Sequence, residues 1–345
     1  MTENEKTRLK DMTYDELEGF FSGMGEKPFR ASQLFNRMYA GAAVSFGDMT
    51  NLPAELRRRL EENAALFTLR TRKVLVSRMD GSRKYVFETA DGNLAESVFM
   101  RYDYGNSVCV SSQAGCRMGC EFCASGLSGL VRNLSSGEML DQVLLAGADA
   151  GERAGRVVVM GVGEPLDNFD ELKRFVETAG DSRGLHMGRR NITVSTCGLV
   201  PGVERMAKEL PQVGLAISLH APNDALRDKL MPVNKRYNVA SVLEAARAHI
   251  AITGRRATFE YALIKGLNDD TACAAELARR LRGMNCHVNL IPLNRVDETG
   301  FRAGGRAETE RFRAVLSETG IQTTIRRGLG SDIKAACGQL RALPK

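Results

Sequence analysis

SVCVSSQAGCRMGCEFCASG, residues 107–126, runs a short β-rich segment straight into a loop with three cysteines, Cys116, Cys120 and Cys123. The segment SVCVSS (107–112) is the first of seven such runs. VVVMG (157–161), NITVST (191–196), LAISLH (215–220), ATFEYALI (257–264), HVNLIPLN (287–294) and QTTIRR (322–327) follow. Stretches with helical periodicity separate them. They include SSGEMLDQVLLAG, whose Ser135 and Glu138 have capping-box spacing, and DELKRFVETAG, VASVLEAARAHIA, TACAAELARRLRG and ETERFRAVLSETG. Six strand–helix repeats and a closing strand predict an α/β fold with a parallel sheet under helices. A complete eight-unit barrel takes about 250 residues. Residues 107–345, with six units, therefore predict a partial (β/α)6 barrel.

The preceding chain has two other textures. Residues 1–66 hold three helical segments, DMTYDELEGFFSGM, KPFRASQLFNRMYA and LPAELRRRLEENAAL, which predict a small accessory domain. Residues 67–106 alternate apolar and polar positions and break at Asp80-Gly81 and Asp91-Gly92. Those are hairpin signals, and they predict a β connector into the barrel.

The 345 residues are 43% hydrophobic and 26% charged, an ordinary globular balance. No apolar run reaches the length of a membrane helix. MTENEKTRLK, at the start, is polar and mixed in charge and does not read as a signal peptide. A cytoplasmic location with reduced thiols is expected. The 8 cysteines are then metal ligands, reactive thiols or core fillers. The net charge of +6 lies outside the first 66 residues, which carry 9 Lys/Arg against 11 Asp/Glu. Basic runs GRRN (Arg189, Arg190), ARRLRG (Arg279, Arg280, Arg282) and TIRRG (Arg326, Arg327) suit a polyanion such as RNA, or simply a solvated surface.

Thiolates three or four positions apart in a tight loop can reach one soft-metal centre. Structural zinc takes four ligands, typically as two separated pairs. No second pair follows here; Cys197 stands alone at a strand end. Three thiolates that leave a coordination position open make a catalytic arrangement. In parallel barrels chemistry gathers at the C-terminal strand ends. Gly163-Glu164-Pro165, Ser195, Ser218-Leu219-His220, Asn294 and Cys337 all fall at or just beyond such ends.

The CxxxCxxC spacing, with Phe122 before its last cysteine, resembles the radical S-adenosylmethionine (SAM) superfamily. The match is closer still to the RlmN/Cfr family of RNA methyltransferases. VSSQAGCRMGCEFCASG, MGVGEPLDN, NITVSTCGLVPG, AISLHAPND, LMPVNKRYN, HVNLIPLN and DIKAACGQL carry it from about residue 94 to 341, and GEKPFRASQLF resembles that family's accessory domain. The resemblance implies that Cys116, Cys120 and Cys123 hold a 4Fe–4S cluster, and that Gly163, Glu164, Ser195, Ser218, Leu219, His220 and Asn294 contact SAM. It makes Cys337 a methyl carrier, Cys109 a resolving thiol that forms a transient disulfide with it, and Glu96 a proton acceptor.

Two SAM molecules would be used to methylate carbon 2 of an adenosine in the peptidyl-transferase region of 23S ribosomal RNA, and the adenosine beside the anticodon of transfer RNA. An electron donor such as flavodoxin or ferredoxin is implied, and no membrane. The residues alone leave other readings open. Cys109 could be core, Glu96 surface charge, His220 a packed histidine, and Ser195 and Ser218 backbone partners. Cys197, Cys273 and Cys286 are given to packing. A carbon-8 enzyme of the Cfr type is the nearest alternative; the GEPL and STCG stretches favour carbon 2. A zinc-bearing RNA-binding module is a second. Lys334 and Arg295 depart from the family pattern, and Lys334 could act on Cys337 or on phosphate.

Overall fold

The computed structural model describes residues 6–40, 43 and 45–341. A short strand β1 (Thr7–Arg8) precedes three helices, α1 (Tyr14–Gly23), α2 (Phe29–Tyr39) and α3 (Ala54–Asn63), and β2 (Ala64–Ala65) returns to pair with β1. Thr13 and Glu16 close a capping box at the start of α1, which satisfies N–H groups the first turn leaves free. Leu17, Phe21, Leu34, Phe35, Leu56 and Leu60 bury the facing stripes of these helices.

Next come β3 (Leu69–Val76), β4 (Arg83–Thr89) and β5 (Leu94–Tyr102), antiparallel in sequence. Gly81 and Gly92 turn the chain with φ of 73° and 79°, a conformation glycine adopts without strain. β6 (Gly105–Cys109) follows, then a two-stranded ribbon of β7 (Gln113–Gly115) and β8 (Leu130–Asn133). The remainder alternates: α4 (Ser136–Ala150), β9 (Arg156–Val159), α5 (Phe169–Gly180), β10 (Ile192–Thr196), α6 (Val200–Glu209), β11 (Gly214–Ser218), α7 (Asp224–Leu230), α8 (Val239–Thr253), β12 (Ala257–Leu263), α9 (Thr271–Leu281), β13 (Cys286–Pro292), α10 (Arg306–Glu318) and β14 (Gln322–Ile325).

One 10-stranded sheet results, in the order β14-β13-β12-β11-β10-β9-β6-β5-β4-β3. β6 and β9 to β14 are mutually parallel, as the strand–helix rhythm predicts, and they form an open barrel. β3 to β5 are not a detached connector. β5 pairs directly with β6, Val98 opposite Cys109, and so continues the barrel sheet. Val108, Val157, Val194, Ile217, Phe259 and Val288 are fully buried, as strands covered on both faces require.

The open side of the barrel is crossed by residues 326–341, a C-terminal strap. Asp332 accepts from Ser77 Oγ (2.7 Å) and Arg78 N (3.0 Å), and Asp80 accepts from Gly330 N at 2.8 Å. Lys84 donates to the Lys334 carbonyl (3.0 Å) and Ser125 to the Leu340 carbonyl (2.7 Å). Ala335 and Leu340 pack on Val98, Met100, Cys109 and Val162. Among the described residues no helix is long and apolar enough to cross a membrane.

Candidate active site

A cavity opens at the C-terminal ends of the parallel strands. Cys116, Cys120 and Cys123 line one wall. Gly163 and Glu164 after β9, Ser195 in β10, Ser218 and His220 at the end of β11, Asn294 beyond β13 and Cys337 in the strap complete it. Leu219 is the exception. Its side chain is fully buried in the core, and its main chain is committed, N–H to the Glu260 carbonyl (3.1 Å) and carbonyl to Arg227 Nε (3.1 Å).

The ribbon β7–β8 shapes the cysteine loop. Gly115 enters it with φ 78°, and a Cβ there would lie 1.9 Å from the Gly129 carbonyl oxygen, so only glycine fits. Gly163 is held as tightly: at φ 109° its Cβ would meet Gln113 Cβ at 2.6 Å. The carboxylate of Glu164 is buried and accepts from Leu166 N (3.0 Å) and Cys197 N (2.7 Å). Burial raises its pKa, and those hydrogen bonds oppose the rise. His220, at φ 57°, accepts from Ala262 N on Nδ1 at 2.9 Å, which leaves the proton on Nε2. Burial, then the charge of Arg227, pulls its pKa to about 3, so the ring is neutral and packs edge-on against Phe122.

Cys337 stands where this cavity meets a second one. The second is lined by Cys109, Met100, Tyr102, Arg326, Arg327 and strap residues, and Cys337, Asn294 and Arg326 belong to both walls. Asn294 Nδ2 donates to the Cys337 carbonyl at 3.0 Å and holds that part of the strap. Burial, then the charge of Cys337, pushes the Cys109 thiol up to about 12. Cys337 is exposed where the cavities meet, and desolvation by the surrounding walls raises its pKa, against the charge of Arg326. All eight cysteines are free thiols, so the Cys109–Cys337 disulfide implied by the resemblance is not formed in this structure.

Glu96 lines neither cavity. It is 2% exposed, under the strap, paired with Lys84 Nζ at 2.9 Å and accepting from Arg341 N at 2.8 Å. Surface charge is thus excluded for it. Its face of β5 is that of Val98, which pairs with Cys109. Burial raises its carboxyl pKa, with Lys84 opposing.

Four residues have a larger place here than their sequence reading. Arg326, read as half of a basic surface pair, is turned inward between the two cavities, its Nη1 3.9 Å from the buried Glu260. Glu260 itself, inside the run ATFEYALI, carried no sequence signal beyond a charge in a core strand. Arg227, fully buried, donates to the carbonyls of Cys197 (2.6 Å), Ser218 (3.4 Å) and Leu219 (3.1 Å), tying the ends of β10 and β11 together. Cys197 is buried as expected, yet it borders the first cavity. Lys334 does not turn to Cys337; its ammonium is 3.2 Å from Asp297, which also pairs with Arg295.

An open parallel barrel with a three-cysteine loop at its mouth defines a radical SAM enzyme, and residues 110–278 match the Radical SAM superfamily model. That class uses SAM with a 4Fe–4S cluster. Three thiols on one cavity wall are the donor set a four-iron cubane takes, one thiolate per iron, with the fourth iron left to a small molecule. Among the described residues no group of three or more His, Cys, Asp or Glu forms a site for a single metal ion.

Residues 7–66 match the ribosomal RNA large subunit methyltransferase N-terminal domain. The chain is 49% identical over 335 residues to a probable dual-specificity RNA methyltransferase RlmN of Lachnospira eligens, covering 97% of this chain and 96% of that one. It is 52% identical over 338 residues to one of Pelotomaculum thermopropionicum, covering 98% and 92%. A crystal structure of a radical SAM methyltransferase from Sphaerobacter thermophilus superposes with a TM-score of 0.94 at 44% identity, covering 96% of this chain and 98% of that one. The chain belongs to the RlmN family of dual-specificity radical SAM RNA methyltransferases.

Proposed function

We propose that the chain methylates carbon 2 of an adenosine in the peptidyl-transferase region of 23S ribosomal RNA and of the adenosine beside the anticodon of transfer RNA, with Cys337 as the methyl carrier. The observation that carries this is the position of Cys337 on the wall shared by two cavities, three cysteines on one side and Cys109 on the other.

A polar displacement at SAM cannot methylate carbon 2 of adenine, which carries no acidic proton; a thiolate can be methylated that way. Cys337 therefore takes the first methyl group, with S-adenosylhomocysteine leaving. Cys116, Cys120 and Cys123 would hold the cluster, which, given one electron by the donor, would supply with a second SAM the radical chemistry that takes a hydrogen atom from the S-methyl group on Cys337. The carbon on Cys337 then bonds to carbon 2. Glu96 accepts the proton from that carbon, and its raised pKa makes it the stronger base. Reaching carbon 2 requires the end of the strap at Arg341, which covers Glu96, to move aside while Cys337 stays in place. The adduct gives up one electron along with that proton, making good the electron the donor supplied. The Cys109 thiolate then attacks the Cys337 sulfur, and the sulfur–carbon bond breaks with its pair on carbon, which takes a proton to complete the methyl group. Methylated RNA leaves and a disulfide forms, and exchange with an external dithiol reductant restores both thiols.

Burial, and after it the charge of Cys337, holds the Cys109 thiol high, and alkylation of Cys337 removes the smaller of the two. Neutral His220 beside Phe122 adds no charge against a cationic sulfonium. The flipped adenosine has the open side of the barrel as its entry.

The test uses Cys109→Ala expressed in cells and mass spectrometry of the peptide containing Cys337. A thioether from Cys337 to RNA is the expected product, because the resolving thiol is gone. An unmodified Cys337 in both wild type and variant would sink the carrier assignment. Digestion of the methylated RNA should give 2-methyladenosine; 8-methyladenosine would transfer the chain to the carbon-8 type.

A further inference from the structure

The geometry points to Tyr104, in the β5–β6 turn and stacked on Tyr102 of the second cavity's wall, as a platform on which the RNA stacks an unpaired base flanking the target adenosine. This rests on RNA being the substrate and adds a base-binding position to it.

The two rings lie 4.9 Å apart between centroids and 8° from parallel. Tyr102 lines the cavity that holds Cys109 and Cys337, whereas Tyr104 is 64% exposed. The stack thus runs from the wall of the reaction chamber out to solvent. Its base is fixed, since Tyr102 pairs with Gly105 in the β5–β6 hairpin. Arg156 holds the turn, its Nη1 donating to the Tyr104 carbonyl at 3.0 Å and its Cζ 4.9 Å from the Tyr104 ring centre.

One further guanidinium stands beside the stack. Arg327 lines the second cavity and is 77% exposed; its carboxylate neighbour, fully exposed Asp103, is 4.0 Å away. A pair that open and that long leaves the guanidinium available to a phosphate. A largely exposed aromatic ring with guanidinium groups beside it, Arg156 over the ring and Arg327 paired only loosely with Asp103, is the composition of single-stranded nucleic-acid sites. A single exposed aromatic is ordinary on any surface. A parallel pair with one ring in a reaction chamber wall is not a single residue, and core packing does not account for its outer half. The chemistry supplies the need as well: an adenosine that leaves its stack strips its neighbour of a partner, and a flat ring at the entry replaces it.

The probes are a fluorescent anticodon stem-loop RNA with the target adenosine in its loop, and the same RNA with an abasic residue at either neighbour of that adenosine. Tyr104→Ala should bind the intact RNA about tenfold more weakly, the size of one lost base stack, and Tyr104→Phe should restore binding. One of the two abasic RNAs should bind wild type about tenfold more weakly than the intact RNA, but bind Tyr104→Ala no more weakly than the intact RNA does. Methylation of Cys337 by SAM, read on the intact protein without RNA, should be the same in both variants, which a misfolded chain would not allow. Equal affinity of wild type and Tyr104→Ala for the intact RNA overturns the platform. So does an abasic penalty that persists in Tyr104→Ala. These are binding results; a wild-type chain that binds the RNA and never methylates it would instead overturn the proposed function.

Discussion

His249 lies in α8 at 1% exposure, and neither ring nitrogen has a hydrogen-bond partner among the described residues. Burial, then the charge of Arg255, pulls its pKa to about 4. Between about pH 6.5, the value of a free histidine, and the folded value the unfolded chain holds the proton and the fold does not. Stability from this group is therefore complete above the unfolded pKa and is lost as the pH falls toward 4. Each pH unit in that window removes up to about 1.4 kcal/mol. Urea unfolding at pH 7, 6 and 5 should show stability falling with acid. His249→Gln should show a shallower fall, by about one proton's worth. Identical slopes would mean that the buried ring is protonated in the fold. His220 acts in the same direction, its folded value being about 3.

The strap joins residues far apart in sequence, and Asp332 is its fastening to the β3–β4 hairpin through Ser77 Oγ and Arg78 N. Hydrogen bonds to a carboxylate contribute roughly 1.5–3 kcal/mol each, but only the strap is released when they go. Asp332→Ala should leave the melting temperature within a few degrees of wild type. It should raise the rate at which iodoacetamide alkylates Cys337 several-fold, read by mass spectrometry. A change in melting with no change in alkylation would show that Asp332 supports the hairpin and not the strap.

Such long-range joins explain what the sequence left unread. The seven runs are each a parallel strand; six are buried and carry the apolar signature of a covered strand, whereas β14, QTTI at the sheet edge, is half exposed. α6 carries no clear helical signal, because Pro201-Gly202 has the composition of a breaker. Proline is tolerated in a first turn, and Gly202 is there because a Cβ would lie 2.6 Å from that of Leu166. The cysteine loop was legible from spacing. The burial of Glu96 was not, and the meeting of Cys109 with Cys337 was implied by the family resemblance and by nothing local, because both depend on the strap. Arg326 had a local signal that went unused: neighbours at a strand end face opposite sides, so one of Arg326 and Arg327 had to turn inward.

The molecule's two ends of chain architecture, helical module and barrel, meet at one buried ion pair. Lys10 and Asp141 are both fully buried, 2.6 Å apart, with the ammonium 3.5 Å from the centre of the Phe67 ring. Asp141 also accepts from Thr68 Oγ1 (2.8 Å), Thr68 N and Leu69 N (3.2 Å). Three parts converge on α4 this way: the segment before α1, the linker from α3 to β3, and the barrel itself. Burial holds the Lys10 pKa below its usual value, against the pull of Asp141, so the pair bears a desolvation cost. Removing one partner of a buried pair costs about 3–5 kcal/mol, mostly because the other charge is stranded. The three remaining donors to Asp141 put Lys10→Met at the low end, about 3 kcal/mol by urea unfolding. Limited proteolysis should then cut first between residues 64 and 69, freeing the helical module. Adding Asp141→Asn should recover part of the loss, because the stranded charge goes with it. A double variant no more stable than Lys10→Met would assign the loss to packing around Lys10.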